Sequence, residues 1–370
     1  MRRFQRRRIT GMLTFAAAGI ASAAAFAVLP LPSAEECAVT AVRLVAGADR
    51  ETTAVTVTEK PSETAEISDF MPISYGKITR PSSANEEAEV HSEEPVPASP
   101  DIPENGSGKI ERKHYGEFFG DEYISLPKGG QIRNITEVSN DEVISAAENG
   151  ADFTLKADGK IRVMIMHTHT TECYEPEPSD SYDSERSCRT TELSANMAAV
   201  GDRIAAELEK AGIGVYHDVT LHDYPSYNGS YERSAETVKA ALTEYPDIQI
   251  VLDVHRDAME TADGVRLAPV ADIDGKTAAQ VMIICGADDG TMDMPNFMKN
   301  LGFAADLQQA LEETAPTLTR PVLFDYRRYN QDLTTGSLLI EVGSHGNSLD
   351  EALYSGELIG KALAAMASEE

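Results

Sequence analysis

The stretch IRVMIMHTHTTE, residues Ile161–Glu172, decides the fold. Its first half is a short apolar run bounded by polar residues, the pattern of a buried strand. Its second half places two histidines and a glutamate where that strand ends. The chain has only 8 His in 370 residues, so their crowding here asks for a chemical reason.

Working outward, the segment TELSANMAAVGDRIAAELEKAGI sets Leu193, Met197, Val200, Ile204 and Leu208 on one helical stripe, with Gly212 as the stop signal. GVYHDV (Gly214 to Val219) reads as the next strand. YERSAETVKAALTEYP spaces Tyr231, Ala235, Val238 and Leu242 as a helix that ends at Pro246. IQIVLDVHRD (Ile248 to Asp257), AQVMIICG (Ala279 to Gly286) and SLLIEVG (Ser337 to Gly343) are further strands. Between the last two lies a helix with Phe297, Leu301, Ala304, Leu307 and Leu311 inward. A final helix opens at Ser348 with Glu351 at capping-box spacing and runs to about Ala367. Strand and helix alternate repeatedly. The expected class is therefore α/β: a mostly parallel twisted sheet with helices on both faces. Such sheets bind ligands at the carboxyl ends of their strands.

Three of these strands end in residues of catalytic type: HTHTTE, DVHRD and IEVGSHGN. If the strands run parallel, all three ends share one edge. His169 and Glu172 have the spacing H-x-x-E, which in one tight turn aims an imidazole nitrogen and a carboxylate oxygen at a point about 2 Å from a zinc ion. His255 is the natural third ligand. The alternative pairs His167 with Glu172, because period-2 alternation places His167 and His169 on one side. With His169 as the ligand, His167 lines the site or supports it from behind and, with Arg256, would stabilise the developing oxyanion. Asp253 shares a strand face with His255 and is placed to orient it. Arg256 is a candidate for substrate or oxyanion contact, or for pairing with Asp257. A carboxylate inside an apolar strand is costly without a partner or a task. That makes Glu341 the candidate general base. His345 falls in the loop that follows. There is no G-x-S-x-G elbow and no P-loop lysine motif. A Cys173–His nucleophile pair would leave Glu172 and Glu341 unexplained.

The chain carries 61 acidic and 32 basic residues, a formal net charge of -29, which argues against a nucleic-acid partner. An arginine block (Arg2, Arg3, Arg6, Arg7, Arg8) precedes an uncharged run from Ile9 to Pro32, the pattern of membrane targeting. The run has about the ~20 residues that span a bilayer. It reads as an uncleaved anchor with the remainder outside, the alternative being a signal peptide cleaved after Ala21–Ala23. The expected organisation is residues 1–35 as basic tail and membrane anchor, 36–119 as a disordered acidic tether rich in Pro, Ser and Glu, and 120–370 as the catalytic domain. Cys173 and Cys188 are close enough in sequence for a local bridge, whereas Cys285, in an apolar run, reads as a buried free thiol.

HTHTTE, LDVHRD, RRYNQDLTTGSLLIEVGSHGNSLDEA and the basic anchor together resemble the stage II sporulation protein P family. The resemblance covers roughly residues 120–368. It implies a zinc-dependent N-acetylmuramoyl-L-alanine amidase fold, like that of the zinc carboxypeptidases, and an additional D,D-endopeptidase activity on peptidoglycan. It further implies action in septal wall thinning and engulfment, with the sporulation proteins D and M as membrane partners. Cys173 and Cys188 are not expected from that family. The rival readings are a zinc carboxypeptidase trimming stem peptides and a wall-binding scaffold without catalysis.

Overall fold

The computed structural model describes residues 76–79 and 108–367. The expected anchor at 1–35 lies outside them. Among the described residues no helix is long and apolar enough to cross a membrane.

The strands are β1 (Gly76–Thr79), β2 (Gly108–Lys113), β3 (Tyr123–Ser125), β4 (Gln131–Asn134), β5 (Ile161–Met166), β6 (Ser181–Tyr182), β7 (Gly214–Asp218), β8 (Ile250–Asp257), β9 (Arg266–Ile273), β10 (Lys276–Ala279), β11 (Val281–Gly286), β12 (Val322–Asp325) and β13 (Ser337–Ser344). The helices are α1 (Asn140–Asn149), α2 (Met197–Lys210), α3 (Ser230–Glu244), α4 (Phe297–Thr314) and α5 (Leu349–Ala365). A nine-stranded sheet has the order β1-β7-β5-β8-β13-β11-β12-β4-β3. The pairings from β7 through β5 and β8 to β13 are all parallel. The sheet reverses at β11, which runs antiparallel to β13, and β12 and β4 follow the direction of β11. The fold is thus the mixed, mostly parallel α/β class. A second, four-stranded sheet has the order β10-β9-β2-β6.

The alternation along β5 assigns the two faces. Val163 and Ile165 join the larger core with Met197, Val200, Ile204 and Leu208 of α2 and with α4 and α5. Met164 and Met166 point the other way, into a smaller core with Val238 and Ala241 of α3. Residues one apart on a strand face opposite sides, so one apolar run supplies both cores. Helix α2 begins at Met197, where Asn196 caps it by accepting a bond from the Ala198 N–H. Leu193, placed on the helical stripe by spacing, precedes that cap and is exposed. Helix α5 starts with a complete capping box between Ser348 and Glu351.

Residues 108–119 were expected in the tether. Here β2 pairs in parallel with β9, and Ile110 is buried, so the folded part starts before residue 120. β1 (Gly76–Thr79) also falls in the expected tether, 36–119, and pairs antiparallel with β7. Composition is blind to this because the pairing is made by backbone groups, and in β2 a single buried side chain, Ile110, accompanies it.

Candidate metal and catalytic centre

Since β5, β8 and β13 are adjacent and parallel, their carboxyl ends meet at one edge. Just past β5 the chain turns, closed by a bond from the Glu172 N–H to the His169 carbonyl (3.0 Å). That turn brings His169 and Glu172 over the end of β8. The His169 ring lies 5.2 Å from the His255 ring, edge to face at 86°. It is stacked under Tyr227 (4.5 Å, 15°) and stands edge-on to Tyr231 (5.6 Å). Its Nδ1 is 3.5 Å from Ser230 Oγ.

His255 Nδ1 is 3.5 Å from Glu172 Oε2, and His255 Nε2 is 2.8 Å from Asp253 Oδ1. The second contact is not aligned as a hydrogen bond, so Nε2 is a buried polar atom without a hydrogen-bond partner. Asp253 is itself fixed: Thr168 donates to Oδ1 through its N–H (2.8 Å) and to Oδ2 through Oγ1 (2.7 Å). Burial works against a charged His255, but the Asp253 and Glu172 carboxylates outweigh it and hold the imidazole well above its usual range. Burial likewise opposes ionisation of Glu172. The bond from His255 and the nearby charges of Arg256, His255 and His169 outweigh it, bringing the carboxyl down to about 2.

Glu341 sits opposite His255 in the β13–β8 register. A bulge follows, with Gly343 at φ +61°, where a Cβ would fall 2.6 Å from Asn347 Oδ1. Glu341 Oε2 is buried and without a partner. Desolvation above all, then the negative charges of Asp257 and Glu172, push its carboxyl up to about 8 against the pull of His255 and Arg320.

His167 is not in this group. It is fully buried, with Nδ1 2.8 Å from the Val254 carbonyl and Nε2 3.0 Å from His217 Nε2. His217 Nδ1 in turn lies 3.2 Å from Asp202 Oδ1. Gly201 of α2 makes the room: a Cβ there would fall 2.4 Å from His217 Nε2 and 2.7 Å from His167 Nε2. The expectation that His167 and His169 share a side, and that His167 lines the site, is therefore corrected. Alternation holds only within a strand, and the strand ends at Met166. His167 continues the α2 side, whereas the turn swings His169 to the α3 side.

Arg256 is corrected too. Its guanidinium is spent on three backbone carbonyls: Nε to Cys173 (3.1 Å), Nη1 to Asp257 (3.2 Å) and Nη2 to Cys188 (3.2 Å). Three of its five N–H groups thus hold the loops under the site. Asp257 pairs with Arg320 instead (2.9 Å). His345 lies in the turn after β13, 3.5 Å from Glu260 Oε2. Cys173, Cys188 and Cys285 are all free thiols.

Sequence reasoning missed Arg189 and Tyr227. Arg189 bonds Asp223 Oδ2 (2.6 Å) and Glu172 Oε1 (3.3 Å) and lies over the Tyr227 ring, 5.0 Å from its centre. Both residues come from irregular loops, where no periodicity marks a side chain's direction.

Among the described residues, no group of three or more His, Cys, Asp or Glu side chains is arranged to hold a metal ion. Of the expected donors, His255 Nδ1 and Glu172 Oε2 are spaced as two ligands of one zinc ion would be. Two ligand atoms on a tetrahedral zinc at about 2.0–2.1 Å stand roughly 3.3–3.4 Å apart, close to the 3.5 Å between His255 Nδ1 and Glu172 Oε2. Imidazole and carboxylate are zinc's common partners. Asp253 faces the other ring nitrogen of His255 at 2.8 Å, the side from which a carboxylate acts on such a ligand.

The family model for stage II sporulation protein P (SpoIIP) matches residues 76–364. The chain belongs to the stage II sporulation protein P family. It is 32% identical over 232 residues to stage II sporulation protein P of Bacillus subtilis (strain 168), covering 59% of this chain and 54% of that protein. The match thus spans about half the length of the curated relative. Similar solved structures include the N-acetylmuramoyl-L-alanine amidase AmiC2 of Nostoc punctiforme, at TM-score 0.32 and 16% identity over 56% of this chain and 96% of that one. Another is the CwlD amidase of Clostridioides difficile in complex with the GerS lipoprotein, at TM-score 0.33 and 13% identity over 55% of this chain and 93% of that one. For this SpoIIP-family chain, HTHTTE, LDVHRD and the strand around Glu341 are the segments that build the centre.

Proposed function

We propose that this SpoIIP-family chain is a zinc-dependent peptidoglycan hydrolase that cleaves the N-acetylmuramoyl-L-alanine amide bond. On the same reading it also acts as a D,D-endopeptidase on cross-links, in septal wall remodelling and engulfment during sporulation. One observation carries the reading: His169, Glu172, His255 and Glu341 meet at the carboxyl ends of three adjacent parallel strands. Family membership supplies the sporulation context. Amidase chemistry is what the family resemblance implies.

A zinc ion held by His169, Glu172 and His255 would polarise the scissile carbonyl and acidify water at the site. The chain's own residues do the rest. Asp253, clamped by Thr168, faces His255 Nε2 at 2.8 Å and holds the imidazole by charge. Arg189 and the Arg256 N–H steady the Glu172 carboxylate. Glu341 takes the proton from the attacking water at Oε2, the oxygen without a protein partner, and passes it to the leaving amine. Burial supplies the low-dielectric setting in which such a carboxyl serves as base and then acid near neutral pH.

The same reading places the domain outside the cell membrane on an N-terminal single-pass helix, in a complex with the sporulation proteins D and M, and without nucleic acid. Digestion of purified peptidoglycan tests it. An amidase releases intact stem peptides and leaves bare glycan. Release of single amino acids would show a carboxypeptidase, and binding without release would show a scaffold.

A further inference from the structure

Residues 171–173 and 188–190 run antiparallel at the base of the excursion 174–187. Thr190 N–H donates to the Thr171 carbonyl (2.7 Å) and Cys173 N–H to the Cys188 carbonyl (3.1 Å), bracketing the Glu172–Arg189 bridge. In this register Cys173 and Cys188 stand directly opposite, with side chains on one face. Opposite residues of an antiparallel pair have their Cα atoms about 4.5–5.5 Å apart, inside the ~4.4–6.8 Å span of a disulfide. Arg256 binds both of their carbonyls and so holds the pair in place. The sulfurs are unlike. Cys173 is buried. Cys188 is partly open, and Arg266 Nη2 lies 3.3 Å from its Sγ.

We propose that Cys173 and Cys188 form a reversible dithiol–disulfide pair that staples the base of the excursion 174–187 next to Glu172. The oxidant is a disulfide, either a small molecule or a thiol-exchange protein. Cys188 thiolate attacks one sulfur of that disulfide, whose S–S bond breaks and releases the first thiolate. Cys173 then loses its proton and attacks Cys188 Sγ in the mixed disulfide, and the second thiolate leaves. Two electrons pass to the oxidant, and the two cysteine protons go to solvent or to the released thiolates. A dithiol reductant reverses the sequence.

The test uses the full chain with Cys37→Ser, incubated with oxidised glutathione, alkylated with N-ethylmaleimide, digested and mapped by mass spectrometry. The expected result is a peptide pair linked Cys173–Cys188, regained as two free thiols after dithiothreitol, and absent in Cys188→Ser. The oxidised form is expected to melt several degrees above the reduced form, since the link closes a short loop already formed in the native state. A stable glutathione adduct on Cys188, full alkylation of both cysteines, or a lower melting temperature for the oxidised form would each overturn the proposal. If Cys188→Ser fails to fold, the mapping of the Cys37→Ser chain still decides. The readout is sulfur, not hydrolysis, so it stands or falls apart from the amidase reading.

Discussion

Glu341→Gln separates what Glu341 costs the fold from what it does for the reaction. In the metal-free protein its carboxyl sits at about 8, against 4.5 for an ordinary glutamate, because burial and the charges of Asp257 and Glu172 oppose ionisation. The sign follows from proton uptake. Between about pH 4.5 and 8 the unfolded chain has lost this proton while the folded chain keeps it, so stability falls as pH rises through that window. Each pH unit is worth about 1.4 kcal/mol, so at pH 7 the cost reaches at most roughly 3 kcal/mol. Glutamine keeps the shape and has no proton to lose. The variant should therefore melt close to the wild-type protein at pH 4.5 and several degrees above it at pH 7 to 8, with both proteins in chelator.

The assay is thermal unfolding of the two proteins across that pH range, paired with peptidoglycan digestion of the zinc-loaded forms. Loss of the base should lower hydrolysis about 10²–10⁴-fold. A melting difference that does not grow with pH would refute the burial argument. Hydrolysis at the wild-type rate would refute the role of Glu341 as base. The two results are independent.

His169→Ala and His167→Ala should diverge. The first should lose bound zinc after dialysis. The second should keep it and lose about 1–3 kcal/mol of stability, because the Val254 carbonyl and His217 forfeit a buried partner; equal zinc loss in both would return His167 to the site. Arg256→Met should lower the urea midpoint by an amount equivalent to about 1–3 kcal/mol, since the Cys173 carbonyl loses its donor while the Asp257 and Cys188 carbonyls keep the His345 and Cys173 N–H groups. A pure rate defect with unchanged stability would instead support an oxyanion role. Chelation should abolish peptidoglycan hydrolysis and added zinc should restore it; full activity in chelator would exclude the zinc reading.

The strands and helices that position the site were legible because they are buried on both faces or amphipathic, and both patterns are written in local sequence. β5, β8, β13 and the two cores they join needed little else. The hairpin of β9 and β10, the short β3, β4 and β12, and the entry of β2 were not legible. β2, β3, β4, β10 and β12 are three to six residues long and β9 is eight, and they are held largely by backbone pairing. Within the site, Glu341 stood out as a carboxylate in an apolar strand, and Asp253 and His255 shared a face by alternation. His167 and His169 were misjudged together because the reading extended the strand's period past the residue where it stops. Arg256 was misjudged because a carbonyl clamp leaves no trace in residue type.

The reversal at β11 explains how supports reach the centre from outside its own strands. β5, β8 and β13 end at the site edge, while β11 begins there, with Val281 opposite Val342. The segment leading into β12 enters at that same edge, where Arg320 N–H donates to the Val281 carbonyl (2.7 Å). From there its guanidinium reaches Asp257 at the end of β8 (2.9 Å). In an all-parallel sheet the neighbouring strands would also end at this edge, and a residue just before a strand would lie at the far side. The mixed topology thus lets one edge be built twice over. Strand ends deliver His169, Glu172, His255 and Glu341, and strand starts deliver the cation that neutralises Asp257 and, by its charge, eases the ionisation of Glu341.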